Sequence, residues 1–412
     1  MPNQSGHTRV TQLDGLRGIA ALVVVACHLL SVLPGIGKVV SDDRTAPLSA
    51  AGGWAVFSPL HILWNGTPAV HVFFVLSGFV LILPFTKAGP GRGWAPYYAK
   101  RLLRLYVPAW ASLALAVALI VLIPRTESPL QSIWADMFVV DPTLGRVAKD
   151  SLLLLGASTV NTPLWTLRWE IAFSLLLPLY VFVALRWRRF WHLKLGIVLA
   201  LAATGAVLNA DWLIYLPIFA IGAILGVERD RIRDLTRRWP RLIWLPVTAA
   251  GLLLANAEWI SRGQPVPAVE ALITAGSTLL VLVFLLTSPA KKLGDTAAAQ
   301  WLGKISFSLY LVHLPVILAC VTLLRSVSLP LALAVAAVAS FGAAELFYRF
   351  VEQPAHRVSI AAGRAVERRA GRKDRRDGVP AAGAPAVCPE AGEVRPAAPR
   401  VRAMAGSTSG GG

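Results

Sequence analysis

Two histidines stand where an imidazole is costly. His28 and His313 fall inside long apolar stretches of the chain, at 15–34 and 305–325. An ionisable side chain in such a place needs a partner or a purpose. A neutral imidazole can take the proton of a hydroxyl, which is the work of a general base. It can equally pack as a helix residue with one satisfied hydrogen bond. Arg17 precedes His28 by eleven residues. On an α-helix that separation is roughly 20° past three full turns and about 16 Å of rise. The two therefore share one face, His28 near mid-depth and Arg17 near one surface.

Further polar groups interrupt the apolar stretches. Ser306, Tyr310 and His313 follow i, i+4, i+7 and form one stripe, of the kind that lines a cavity or bonds a neighbouring helix. In Trp165-Thr166-Leu167-Arg168-Trp169-Glu170, the two charged residues are two apart and cannot face each other on a helix. Both are expected near the outer boundary, and Glu170 reads as functional rather than as half of a structural pair. Arg101 and Arg104, three apart and next to Lys100, suit phosphate oxygens. A positive anchor beside a membrane explains them as well. Ser77 and Gly78 allow a polar contact and a close helix approach, and a plain helix contact is the simpler reading. His71 is expected near the outer surface, and Glu352 beside Arg349 at the opposite one.

The elements that must position these residues are membrane helices. The chain is 56% hydrophobic and 15% charged, against about 25% charged in ordinary soluble domains. Apolar stretches near the roughly 20 residues that cross a bilayer predict an all-α helix bundle. Its spans are expected at 15–34, 68–85, 105–124, 165–186, 193–209, 211–227, 242–258, 268–287, 305–325 and 329–350. Asn209-Ala210-Asp211 would be a tight turn. Lys and Arg crowd alternate loops: Lys87 to Arg104, Arg186 to Lys194, Arg229 to Arg241, and Lys291 to Lys304. The loops between are poor in both. That alternation predicts ten spans in the cell membrane with both termini cytoplasmic.

It also accounts for most of the formal charge of +18, so a nucleic-acid partner is not expected. Residues 1–357 read as one membrane domain and 358–412 as a disordered basic tail rich in Ala, Gly and Pro. The tail's Arg364, Arg368, Arg369, Arg372, Lys373, Arg375 and Arg376 suit anionic membrane lipid as well as plain solvation. The stretch Ser151 to Gly156 is apolar but too short to span, which fits a re-entrant or interfacial segment. Cys27, Cys320 and Cys388 show no CxxC or Cys/His ligand spacing, so neither a metal nor a disulfide framework is expected. No Gly-x-Ser-x-Gly motif offers a serine nucleophile.

Taken in order, these segments resemble the acyltransferase 3 family of membrane O-acyltransferases. The resemblance rests on Leu13-Asp14-Gly15-Leu16-Arg17-Gly18 with the Arg17-x10-His28 spacing and on Phe73-Phe74-Val75-Leu76-Ser77-Gly78-Phe79. It continues through Arg101-Leu102-Leu103-Arg104 before Pro108, Trp165-x4-Glu170, Ser306-Phe307-Ser308-Leu309-Tyr310-Leu311-Val312-His313, and Glu352-Gln353-Pro354. It spans roughly residues 10–357. His71 departs from the acidic residue common just before Phe-Phe-Val-Leu-Ser-Gly-Phe.

The resemblance implies a ten-helix core that passes an acyl group, acetyl or short-chain, from cytosolic acyl-CoA to a hydroxyl. Acceptors would be a glycan, a lipid-linked sugar or a macrolide-type natural product. His28 would be the base. Arg17 would bind the donor or an acidic partner such as Glu352, and Arg101 and Arg104 the donor's phosphates. Glu170 and His313 would shape the acceptor side or orient His28, with Ser77, Ser306 and Tyr310 in support. A proton-coupled transporter of a small polar solute is the alternative, since buried His, Arg and Glu also mark carriers.

Overall fold

The computed structural model describes residues 10–41, 44–87, 93–155, 160–261 and 268–376. The chain divides into Met1–Arg368, which holds the bundle, and Arg369–Gly412. In the second unit the described residues, 369–376, are helical.

Apolar helices form at all ten expected places. They are α1 (Thr11–Ser31), α2 (Gly66–Lys87), α3 (Trp94–Leu122), α4 (Trp165–Leu185) and α5 (Trp191–Val207). The others are α6 (Asp211–Thr236), α7 (Trp244–Ala255), α8 (Val269–Leu286), α9 (Ala297–Leu324) and α10 (Leu329–Phe347). Among the described residues, nine helices are long and apolar enough to cross a membrane, and the tenth, Arg241–Ala255, is shorter. Asn256 ends it. Its side-chain amide donates to the Pro59 carbonyl (3.3 Å) and its oxygen accepts from Asn65 (3.0 Å), so the chain bends there towards the loop before α2.

Two helices begin earlier than expected. α3 starts at Trp94, which places Arg101 and Arg104 inside the helix, and α9 starts at Ala297. Nor does the last helix stop near 350. A π-helical turn at Tyr348–Glu352 leads into α11 (Gln353–Arg376), beyond the tail boundary expected at 357. The tight turn at Asn209 forms as expected, with φ of 50°, a left-handed conformation that asparagine tolerates.

Backbone contact sets the helix pairing. α1 lies along α9, where a Cβ on Gly18 would sit 2.4 Å from the Gly303 nitrogen and one on Gly303 would sit 2.2 Å from the Asp14 oxygen. The α1 start is tied to this crossing by Thr11 donating to Asp295 (2.7 Å) and Gln300 donating to the Thr11 carbonyl (2.7 Å). α2 meets α6 in the same way: a Cβ on Gly222 would lie 2.0 Å from the Val75 oxygen. Small residues at such crossings let backbones close up without a hydrophobic driving force. Gly222→Val is therefore expected to cost about 3 kcal/mol through overpacking, read as a lower unfolding temperature in detergent. Gly196→Ala, whose Cβ meets nothing within 4 Å, should leave that temperature unchanged or raise it.

The two long loops carry short helices and fold inwards. In the loop after α3, Leu153 takes a left-handed φ of 55° and is buried, as are Val160, Asn161 and Leu164. Of the stretch expected to be re-entrant or interfacial, the described residues 151–155 bury Leu153 and leave Leu152, Leu154 and Leu155 exposed. α4 consequently starts inside the bundle, which sets the depth of everything on its first turns.

Candidate active site

His28 and His313 meet, 285 residues apart in sequence. α9 sets their protonation pattern. His313 Nδ1 lies 2.8 Å from the Leu309 carbonyl oxygen one turn back. A carbonyl only accepts, so Nδ1 carries the hydrogen and Nε2 keeps its lone pair. His313 Nε2 is 2.7 Å from His28 Nδ1, the ring planes differing by 6°. His28 Nδ1 must then donate, and His28 Nε2 is left with a free lone pair. Trp134, from the short helix Ile133–Asp136, stacks on His28 at 5.4 Å between ring centroids. Ser132 pins that helix by donating through its hydroxyl to the Ser31 carbonyl (2.5 Å).

Pro315 contributes in another way. It lacks an N–H, which frees the Leu311 carbonyl from its helical bond. Asn161, just before α4, donates to that carbonyl (3.2 Å) and to Ser112 (3.1 Å). The start of α4 is thereby fixed against the middle of α9. Thr166 donates to the Pro163 carbonyl (3.2 Å), so its oxygen accepts from the Tyr310 hydroxyl (2.9 Å).

Glu170 is not at the outer boundary. One turn into a helix that begins inside the bundle, it meets the residues expected at the basic end. Arg101 Nη2 donates to Glu170 Oε2 (3.1 Å), and Ser77 donates to Glu170 Oε1 (3.1 Å). Arg101 Nε donates to Ser174 (3.1 Å), whose hydroxyl donates to the Glu170 carbonyl (2.6 Å). The Arg101 side chain is 12% exposed and that of Glu170 19%. Arg104 lies within electrostatic range of Arg17, Arg101, Glu170 and Glu352.

Glu352 accepts from Ser308 (2.5 Å) rather than from Arg349, which pairs with Glu345 (2.7 Å). The π turn explains the change. One extra residue per turn breaks the i, i+3 alignment that would have joined Arg349 to Glu352. Ser306 donates only within its own helix, to the Gly303 carbonyl (2.9 Å).

Two cavities meet at Val70 and Tyr310. The smaller, about 30 Å³, is lined by Arg17, Glu170, Ser306 and Tyr310 among others. The larger, about 270 Å³, is lined by His28, Arg44, His61, His71, Trp165 and Trp259 among others. His71 is not a surface residue: it is 1% exposed and faces this cavity. At the far wall, Arg44 pairs with Glu258 and lies over the Trp259 ring at 4.6 Å. His61 stacks on Trp259 at 4.3 Å, and burial pushes its pKa down to about 3, so it stays neutral at physiological pH.

Comparison with known proteins gives the family. Residues 10–349 match the acyltransferase domain model of acyltransferase 3. The chain belongs to the acyltransferase 3 family. It is a transferase, which removes the transporter alternative, and a multi-pass membrane protein. It is 28% identical to acyltransferase MdmB of Streptomyces mycarofaciens, over 75% of this chain and 79% of that one. It is 24% identical to O-acetyltransferase PaAT-1 of Phomopsis amygdali, over 77% and 75% of the two chains. It is also 24% identical to peptidoglycan O-acetyltransferase OatA of Listeria monocytogenes serovar 1/2a, over 84% of this chain and 55% of OatA. No solved structure matches.

Within this acyltransferase 3 domain, most of the residues singled out by sequence lie on two centres that meet at Tyr310. His28, His313 and Tyr310 form one; Arg17, Arg101, Arg104, Glu170, Ser77, Ser306 and Glu352 form the other. His71 lines the larger cavity apart from both, and Arg168 lies over the Trp169 ring. Sequence reasoning missed Trp134, Asn161, Thr166, Ser174 and Ser308. For Asn161 a signal existed: Pro315, two residues after His313, announces a free carbonyl at Leu311. The others carry none.

Proposed function

We propose that this acyltransferase moves an acetyl or other short acyl group from acyl-CoA to a hydroxyl of an acceptor held in the larger cavity. The observation that carries the reading is the hydrogen-bond chain from Leu309 through His313 to His28. It leaves one imidazole nitrogen as a lone-pair base beside that cavity. His28 Nε2 takes the acceptor's hydroxyl proton as the oxygen attacks the thioester carbonyl. The C–S bond breaks, and the imidazolium returns the proton to the departing CoA thiolate. While His28 is charged, His313 Nε2 accepts from it and steadies the cation. No covalent acyl-enzyme is required.

On the donor side, three guanidiniums (Arg17, Arg101, Arg104) face two carboxylates (Glu170, Glu352). One cation in excess suits an anionic donor. Arg101 is engaged by Glu170 and Ser174, so the phosphate contact expected of both arginines falls first to Arg104. The small volume beside Arg17 supports an acetyl-sized group, and Tyr310 is the side chain that stands between donor and base. The positive-inside rule puts the Arg104 end and both termini in the cytoplasm and the His28 cavity towards the other face of the cell membrane. The names of PaAT-1 and OatA support O-acetylation, of a glycan, lipid-linked sugar or macrolide-type product.

The test is turnover of radiolabelled acyl-CoAs by purified protein in detergent. Acetyl-CoA is expected to be consumed, and Arg104→Gln to raise KM for it about tenfold with a smaller change in kcat. Absence of turnover with every acyl-CoA offered would refute the donor assignment.

A further inference from the structure

A groove on the outside of the bundle takes no part in that chemistry. α4 and α5 both pack on α6, and between them lies an apolar cavity of about 470 Å³. Leu176, Leu179 and Val183 of α4 form one wall, and Ile197 and Leu201 of α5 the other. All five are exposed. The floor is α6 from Trp212 to Ile224, where Pro217, Ala220 and Ala223 leave room. That length of helix rises about 18 Å, a little more than one leaflet of a hydrocarbon core roughly 30 Å thick.

The two ends of the groove differ. At one end α5 is pressed onto α6, since a Cβ on Gly205 would lie 2.8 Å from the Ile214 nitrogen. At the other, Lys194 draws the start of α5 to the end of α4. Its ammonium donates to the carbonyls of Val183, Ala184 and Arg186, at 2.5 to 3.1 Å. Its three hydrogens are spent there, but its charge remains. Arg186 stands at this mouth of the groove, and Arg189 follows in the same turn. Both are exposed, and neither pairs with a carboxylate among the described residues, whereas Arg188 is matched by the buried Glu228. Their guanidiniums lie over the Trp187 and Phe190 rings, aromatic residues of the kind that sit at headgroup level.

An apolar slot one leaflet deep that ends at unpaired cations has the chemistry of a phospholipid with net negative charge. We propose that this groove binds one anionic glycerophospholipid, its acyl chain between α4 and α5 and its headgroup on Arg186 and Arg189. The chain fills the gap beside α4, the helix that carries Glu170, and the bound lipid stabilises the folded bundle.

The probes are phosphatidylglycerol and phosphatidylcholine with identical chains, added to the delipidated full-length protein in detergent. Native mass spectrometry counts the bound lipid, and the unfolding temperature reads its effect. One phosphatidylglycerol is expected to be retained, about ten- to thirtyfold more tightly than phosphatidylcholine, as two surface guanidiniums supply. It should also raise the unfolding temperature. Arg186→Gln/Arg189→Gln should bring phosphatidylglycerol down to the level of phosphatidylcholine. Ala220→Leu fills the groove from its floor and should weaken both lipids alike. Ile197→Trp blocks it from the α5 wall and should do the same, so a folding defect at Ala220 does not decide the outcome. Equal binding of the two lipids by the wild type, a preference that survives in the double arginine variant, or undiminished binding in both groove-filling variants would overturn the proposal. A dimer that Ala220→Leu dissociates would give the groove to a second copy of the chain and overturn it too.

Discussion

His28→Ala protein is expected to insert, fold and bind acyl-CoA, but to transfer the acyl group about 10²- to 10⁴-fold more slowly. That is the range a positioned general base contributes. The variant removes the one nitrogen that the hydrogen-bond chain leaves free. His28 lies ten residues beyond Gly18 on α1, clear of the Gly18 and Gly303 contacts that hold α1 against α9. A companion variant separates the roles of the two rings. His313→Phe keeps the shape but removes the acceptor of His28 Nδ1–H. His28 remains a base with an unfixed tautomer and an unsupported cation, so kcat falls by less than in His28→Ala while KM for acyl-CoA holds. Release of CoA in single-turnover experiments distinguishes the two. Equal activity of His28→Ala and wild type would remove the base assignment altogether.

Glu170→Ala is expected to destabilise the bundle by about 3 kcal/mol or more. Taking one partner from a buried ion pair leaves the other charge without compensation. Here the survivor is Arg101, 12% exposed, and Ser77 loses its acceptor at the same time. The unfolding midpoint in detergent should drop well below that of Glu170→Gln, which keeps the shape and one acceptor oxygen for Arg101 or Ser77. The double variant Glu170→Ala/Arg101→Met should recover much of the loss, because removing both charges removes the penalty. If the double variant is no more stable than Glu170→Ala, the pair is not what holds α3 to α4. Activity adds a second reading. Without Glu170, Arg101 is released towards Arg104 and Arg17, and the donor side becomes more cationic.

Much of the fold follows from local sequence. In hydrocarbon every backbone polar group must be satisfied within its own segment, so an apolar stretch of sufficient length is a helix whatever its neighbours do. All ten helices lie where apolar length puts them, and the turn at Asn209 lies where its residues allow a left-handed conformation. The stripe Ser306, Tyr310, His313 was legible for the same reason: it lies on one helix, and one helix has a known period. Even the common face of Arg17 and His28 needed nothing more.

Depth and pairing were not legible. Glu170 was expected at the outer boundary because helix starts were equated with the membrane surface. The loop before α4 dips inwards and carries that start into the bundle. His71 was expected at the surface by the same equation and is instead buried against Thr274. One reading paired Glu352 with Arg349 and another with Arg17; past the π turn it accepts from Ser308. By itself, then, the sequence determined which segments are helices, which faces they present, and that two imidazoles interrupt apolar spans. Only the tertiary structure decided that His313 orients His28, that Glu170 holds Arg101, and that two cavities meet at Tyr310. Hydrogen bonding along a helix is a local matter. Which side chains meet depends on how helices cross and how deep each one starts, and those are properties of the whole bundle.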